Sequence, residues 1–172
     1  MTFGEAIREG WEIIKMNREA YRRAAARSEA FTWALVITAL AGVASGLSPQ
    51  NIGSVGFIWL PVVTIAGLFV GVAILHGLAL LFGGRGDYMG LFRIVGLAEL
   101  LGWASLVPVL GGLVGLWMIV VVAIALQEHH GLDAARSIIV VLIPALVVIV
   151  LGMIAGGALL GGVMLGGLLG GA

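Results

Sequence analysis

All nine Lys and Arg residues of this chain lie in alternate gaps between five long apolar stretches, and that distribution dictates a membrane topology before any motif is read. Arg8, Lys15, Arg18, Arg22, Arg23 and Arg27 precede the first stretch. Arg85 and Arg93 separate the second from the third, and Arg136 the fourth from the fifth. The remaining gaps, residues 48–56 and 108–112, carry no charge. Basic connections stay on the cytoplasmic side, so the pattern predicts five helical spans with the N-terminus inside and the C-terminus outside a cytoplasmic membrane. Composition agrees: 61% of residues are hydrophobic and 10% charged, against about a quarter charged in a soluble domain.

The expected architecture is an all-α integral membrane bundle with three parts. Residues 1–30 form an amphipathic N-terminal segment, residues 31–160 the five-span domain, and residues 161–172 a glycine-rich apolar tail. At 100° per residue Phe3, Ile7, Trp11, Ile14, Tyr21 and Ala25 share one face, whereas Glu5, Arg8, Glu12, Lys15, Glu19 and Arg23 lie away from it. This is the pattern of a helix lying in the cytoplasmic interface, packed on the protein's own surface or, alternatively, docking a partner. Arg18 interrupts the apolar face and Asn17 is a cap residue, so the segment reads alternatively as two helices meeting near Met16. Five basic side chains between residues 15 and 27 suit anionic lipid heads. The charged N-terminus does not have the form of a cleavable signal peptide.

The spans are expected at residues 31–47, 57–82, 88–106, 109–126 and from about 137 onward. Trp33 falls at the cytoplasmic boundary and Trp59 and Trp103 near the outer one, where indoles suit the interface. Trp117 lies too deep for that and is expected to pack against another helix. Glycine makes up 28 of the 172 residues, much of it in pairs four apart that let backbones approach closely. Gly42/Gly46, Gly67/Gly71 and Gly111/Gly115 are such pairs, and the tail repeats the spacing through Gly157 and Gly161. A single helix from residue 137 to the end would be about 54 Å long, more than a core of about 30 Å accommodates. Either the helix ends near Gly161, or the tail serves a contact between subunits. Homo-oligomerisation through the glycine faces is the expectation.

Two ionisable side chains fall inside expected spans, His76 in the second and Glu99 in the third. A charge near the bilayer centre is costly, so each needs a partner, and their similar depths make them a candidate intramembrane pair. Gly96 and Gly102, three residues either side of Glu99, mark that face as a close helix contact. In the last polar connection Gly131 is expected to end one helix and Asp133 to cap the next. The adjacent His129 and His130 point in different directions on a helix, so a shared metal would need loop geometry or a second subunit. Gly83-Gly84-Arg85-Gly86-Asp87 lacks the Lys-Ser/Thr ending and the preceding strand of a phosphate loop, and reads as a short turn. Without cysteine there is no disulfide, thiol catalysis or Cys-ligated metal. No nucleophile, base and orienting acid recur at usable spacing, so no enzyme, cofactor or metal site is expected.

The order Leu75-His76-Gly77-Leu78-Ala79, Gly83-Gly84, Phe92-Arg93-Ile94-Val95-Gly96, Pro108 and Gly111-Gly112 ends in Leu126-Gln127-Glu128-His129-His130-Gly131-Leu132-Asp133-Ala134-Ala135-Arg136. In this order the chain resembles the prokaryotic branch of the Yip family, five-span membrane proteins whose eukaryotic members interact with Rab-type GTPases in vesicle traffic. The resemblance covers about two thirds of the chain and implies the same orientation as the charges. The N-terminal segment is short beside the long cytosolic extension of the eukaryotic members. Arg93, Glu128, His130 and Arg136 are the candidate cytoplasmic contact residues, and Gly67, Gly71, Gly96, Gly102, Gly157 and Gly161 the candidate helix-packing positions. The expected function is non-catalytic: organising membrane or binding a partner, with lipids, further copies of the chain and another membrane or cytoplasmic protein as partners and no nucleic acid. The alternative is a channel or transporter for a small solute or ion, with a path near His76 and Glu99.

Overall fold

A computed structural model describes residues 1–48, 56–107, 110–147, 150 and 153–154. Met1–Val141 form one compact unit and Leu142–Ala172 a second. The described secondary structure is helical. Of the glycine repeats, the tail positions Gly157 and Gly161 lie outside the described residues, as does Pro108.

The N-terminal segment is two helices, α1 (Phe3–Ile14) and α2 (Arg18–Ala26). Thr2 starts α1 with a reciprocal cap, its hydroxyl accepting from Glu5 N at 3.3 Å while the Glu5 carboxylate accepts from Thr2 N at 2.7 Å. Met16 then turns the chain with a positive φ of 63°, and the Asn17 side chain accepts from Glu19 N to open α2. The break near Met16 therefore stands as one of the two sequence readings had it. Tyr21 is fully buried and its hydroxyl donates to Ile13 O at 2.9 Å, which closes α1 and α2 into a hairpin.

After a bend of 111° comes α3 (Ala30–Gly46), then α4 (Gly56–Leu81), α5 (Tyr88–Ala98), α6 (Gly111–His130) and α7 (Ala134–Val147). Two of these, α4 and α6, are long and apolar enough to cross a membrane, or three spans if α2 and α3 count as one bent crossing. The expected third span is not one continuous α-helix. At Glu99 it changes to a 3-10 helix, Glu99–Leu106, which gains about 2.0 Å per residue instead of 1.5 Å. The change falls between Gly96 and Gly102, two residues that weaken an α-helix and against which α3 presses.

Close backbone approach sets the helix arrangement. A Cβ on Gly96 would lie 2.6 Å from Ala34 Cβ and one on Gly102 3.0 Å from Ala41 Cβ, so α3 runs parallel to α5 and its 3-10 extension. A Cβ on Gly42 would lie 2.5 Å from Pro61 Cα, which crosses α3 with α4. Phe92 joins the three, its ring centroid 5.3 Å from Phe31 and 4.6 Å from Phe69. A Cβ on Gly10 would meet Leu97 O at 2.7 Å, so α1 lies directly on α5. The N-terminal segment is thus a hairpin packed on the protein itself. Gly67 and Gly71 behave differently: a Cβ at either meets nothing within 4 Å among the described residues, so neither makes a close helix contact there.

These contacts predict opposite outcomes for chemically identical changes. Gly42→Ala forces backbone against backbone and should cost about 1–3 kcal/mol. Gly67→Ala adds a methyl in open space and should stabilise the helix by up to about 1 kcal/mol. Melting curves of the two variants in one detergent check this; equal shifts would remove the close α3–α4 crossing from the account.

Candidate functional site

The polar side chains converge where the N-terminal hairpin, the α4–α5 turn and the end of α6 meet. Arg18 and Arg22 sit one turn apart on α2, and both reach Glu128 in the last turn of α6. Arg22 Nη2 lies 2.7 Å from Glu128 Oε2 and its Nε donates to the same oxygen at 2.8 Å. Arg18 Nη1 holds the other oxygen. The guanidiniums are about 60% and 67% exposed but the carboxylate only 6%, so the acid is the buried anchor. Arg93 completes the docking, its Nη1 donating to Ala25 O at 2.6 Å, where the C-terminal carbonyls of α2 favour a cation. Trp117 Nε1 donates to Ile14 O at 3.0 Å, so this deep tryptophan does pack on another helix, namely α1.

Two histidines at the end of α6 take different partners. His130 is 2% exposed and its Nε2 lies 3.0 Å from His76 Nδ1 of α4. His129 Nε2 lies 2.9 Å from Asp87 O and 3.3 Å from Asp87 Oδ2. Glycines make this possible. A Cβ on Gly90 would lie 2.2 Å from His129 Cε1, and one on Gly86 2.6 Å from His129 O. Arg85 N donates to His130 O at 3.0 Å, fastening the turn to the helix end. Asp87 caps α5 through Gly90 N at 2.8 Å. Burial is the strongest single influence on its carboxyl and pushes it up, yet the Gly90 bond, His129, its own backbone N–H and Arg93 act the other way and hold the group below the usual carboxylate range.

Gly131, at φ 70°, ends α6, with Leu132 N donating back to Leu126 O. Asp133 Oδ1 accepts from Arg136 N at 2.9 Å and caps α7, as the sequence predicts. Arg136 spends its guanidinium on Asp133 and, at 3.3 Å, on Phe82 O. Arg93, Glu128, His130 and Arg136 are therefore all engaged within the chain.

Glu99 stands elsewhere. It lines a cleft of about 330 Å³ with Thr64, Gly67, Gly71, Met118 and Val122, so the open Gly67–Gly71 face borders its carboxyl. The His76–Glu99 pair is corrected accordingly: His76 bonds His130 and stands beside Tyr88 at the start of α5, their ring centroids 6.0 Å apart, whereas Glu99 lies eleven residues further along the chain. Among the described residues no group of three or more His, Asp or Glu side chains could hold a metal. The sequence reading missed Arg18, Arg22 and Asp87 as partners. The spacing of the two arginines was visible, but a carboxylate more than 100 positions away in the chain was not.

The chain matches the family model of the Yip1 domain over residues 11–156 and belongs to that family. No curated protein and no solved structure matches it.

Removing Glu128 tests the docking of the hairpin. After solvent screening the two arginine contacts together contribute about 1–2 kcal/mol, so Glu128→Ala should let α2 open roughly 5–30-fold more often. Hydrogen exchange over residues 18–26 reads this directly, with residues 68–79 of α4 as the internal control. Unchanged protection of α2 would mean that packing at Tyr21 and Arg93 suffices.

Proposed function

With the Yip1 domain family as premise, we propose a non-catalytic, multi-pass protein of a prokaryotic cytoplasmic membrane that organises membrane or binds a protein partner. The observation that carries this reading is the surface of α4. Trp59, Val62, Val63, Val70 and Leu81 are 58–82% exposed along one apolar helix, a surface that water does not tolerate and lipid does. The polar groups, by contrast, hold the chain's own parts together. Conduction past His76 and Glu99 is less well supported, since His76 is bonded to His130 and Glu99 faces a side cleft.

In this reading the chain crosses five times, α5 with its 3-10 extension and α7 marking the two further crossings. The N-terminal hairpin and Arg85 face the cytoplasm and the C-terminus lies outside, as the basic residues direct. A reporter inserted at Gly84 should be cytoplasmic and one after Ala172 extracytoplasmic; the same side for both would discard five crossings.

Self-association through the tail glycines belongs to the same proposal. Lipid tails are as apolar as Leu, so helices associate in a bilayer by close van der Waals contact. Gly157→Leu combined with Gly161→Leu should dissociate the assembly, while Leu159→Ala should not, as read by mass in lipid nanodiscs. A monomeric parent chain would end this part of the proposal.

A further inference from the structure

Beside the histidine junction lies a pocket of about 480 Å³ lined by Gly83, Arg85, Glu128, His129, His130 and Gly131. Its acid is already neutralised, since Glu128 carries both Arg18 and Arg22. Arg85 is exposed, and its guanidinium has no ion pair among the described residues. Arg136 stands at the rim, its Nη1 3.6 Å from the Cβ position of Gly83. Arg18, Arg22, Arg85 and Arg136 outnumber Asp87, Glu128 and Asp133 there, so the net charge is positive. His130 Nδ1, a buried nitrogen without a partner among the described residues, belongs to a residue of the same lining.

The setting is as informative as the charge. The chain around the pocket carries exposed apolar side chains on both sides, with Leu81 82% and Leu80 48% exposed at the end of α4 and Ile138 47% exposed at the start of α7. The Arg136 bond to Phe82 O holds those two helix ends together. A polar, net positive pocket rimmed by apolar helix ends matches a molecule with an anionic head and hydrocarbon tails.

We propose that the pocket between the α4–α5 turn and the end of α6 holds the phosphate of an anionic phospholipid, with Arg85 supplying the charge and the tails lying along Leu80, Leu81 and Ile138. Arg85 is the discriminating residue because its side chain makes no hydrogen bond or ion pair among the described residues, while its backbone N–H to His130 O is independent of the side chain. Guanidinium binds phosphate oxygens through two parallel N–H donors, which a lysine ammonium replaces only as a point charge. The proposal rests on the membrane reading above.

The test uses the full chain in detergent, exchanged with phosphatidylglycerol or phosphatidylcholine and examined by native mass spectrometry. The parent should retain phosphatidylglycerol preferentially. Arg85→Gln should lower that retention about five-fold, Arg85→Lys should restore part of it, and Arg8→Gln on α1 should leave it unchanged. All variants should melt with the parent, because none removes a bond of the fold. Equal retention of the two lipids by the parent, or undiminished retention by Arg85→Gln, would overturn the site, as would stabilisation by inorganic phosphate equal to that by the lipid. A parent that stays in the aqueous phase with no detergent at all would instead overturn the membrane reading itself.

Discussion

A carboxylate that is 6% exposed and faces two guanidiniums cannot stand alone, and the polar end of this molecule is arranged around that constraint. Glu128 is covered by two arginines that are themselves exposed, so its contacts are screened and together contribute about 1–2 kcal/mol. Its partners sit on α2, so the end of α6 and the N-terminal hairpin specify each other. Once α2 is docked, Arg93 meets the last carbonyls of α2, Tyr21 closes onto Ile13 O, and Trp117 finds Ile14 O. The Arg93 and Trp117 bonds join segments 68 and 103 positions apart in the chain.

The apolar part follows a different logic. Burial of apolar surface gives no direction inside a bilayer, and close packing decides which helices meet. Gly42, Gly96 and Gly102 supply that, each where an added Cβ would lie 3.0 Å or less from a neighbouring atom. The same residue type at Gly67 and Gly71 does the opposite and leaves a cleft next to Glu99. Spacing of four is therefore a permission for contact, not a contact. The neighbour decides, and in α4 the described residues place none at those two positions.

The histidine junction shows glycines used to admit side chains. Gly84, Gly86 and Gly90 would each place a Cβ within 2.8 Å of α6 atoms or of the chain's own backbone. The turn that resembles a phosphate loop in composition is instead a cradle for His129 and for the α6 terminus. Its glycines answer to packing, and its one arginine is left facing outward.

Local signals in the sequence determined a good deal. The division of the N-terminal segment at Met16 and Asn17, the stop at Gly131, the cap at Asp133 and the helical character of the apolar stretches all depend on residues within a turn or two of each other. Capping and periodicity are short-range physics and are legible in one dimension. Family membership was legible too, because it lies in the order of such segments. Pairings were not: His76 joins His130 across 54 positions, and Arg18 joins Glu128 across 110. Similar expected depth in two spans made Glu99 look like the partner of His76, but His76 stands beside Tyr88 at the start of α5, eleven residues before Glu99, which lines the cleft by Gly67 and Gly71 instead. Charge along the chain sets an expectation of which segments share a side of a membrane. The tertiary structure alone decided which charges touch, because contact between distant segments depends on helix rotation and crossing, set by the few glycines where two backbones actually meet.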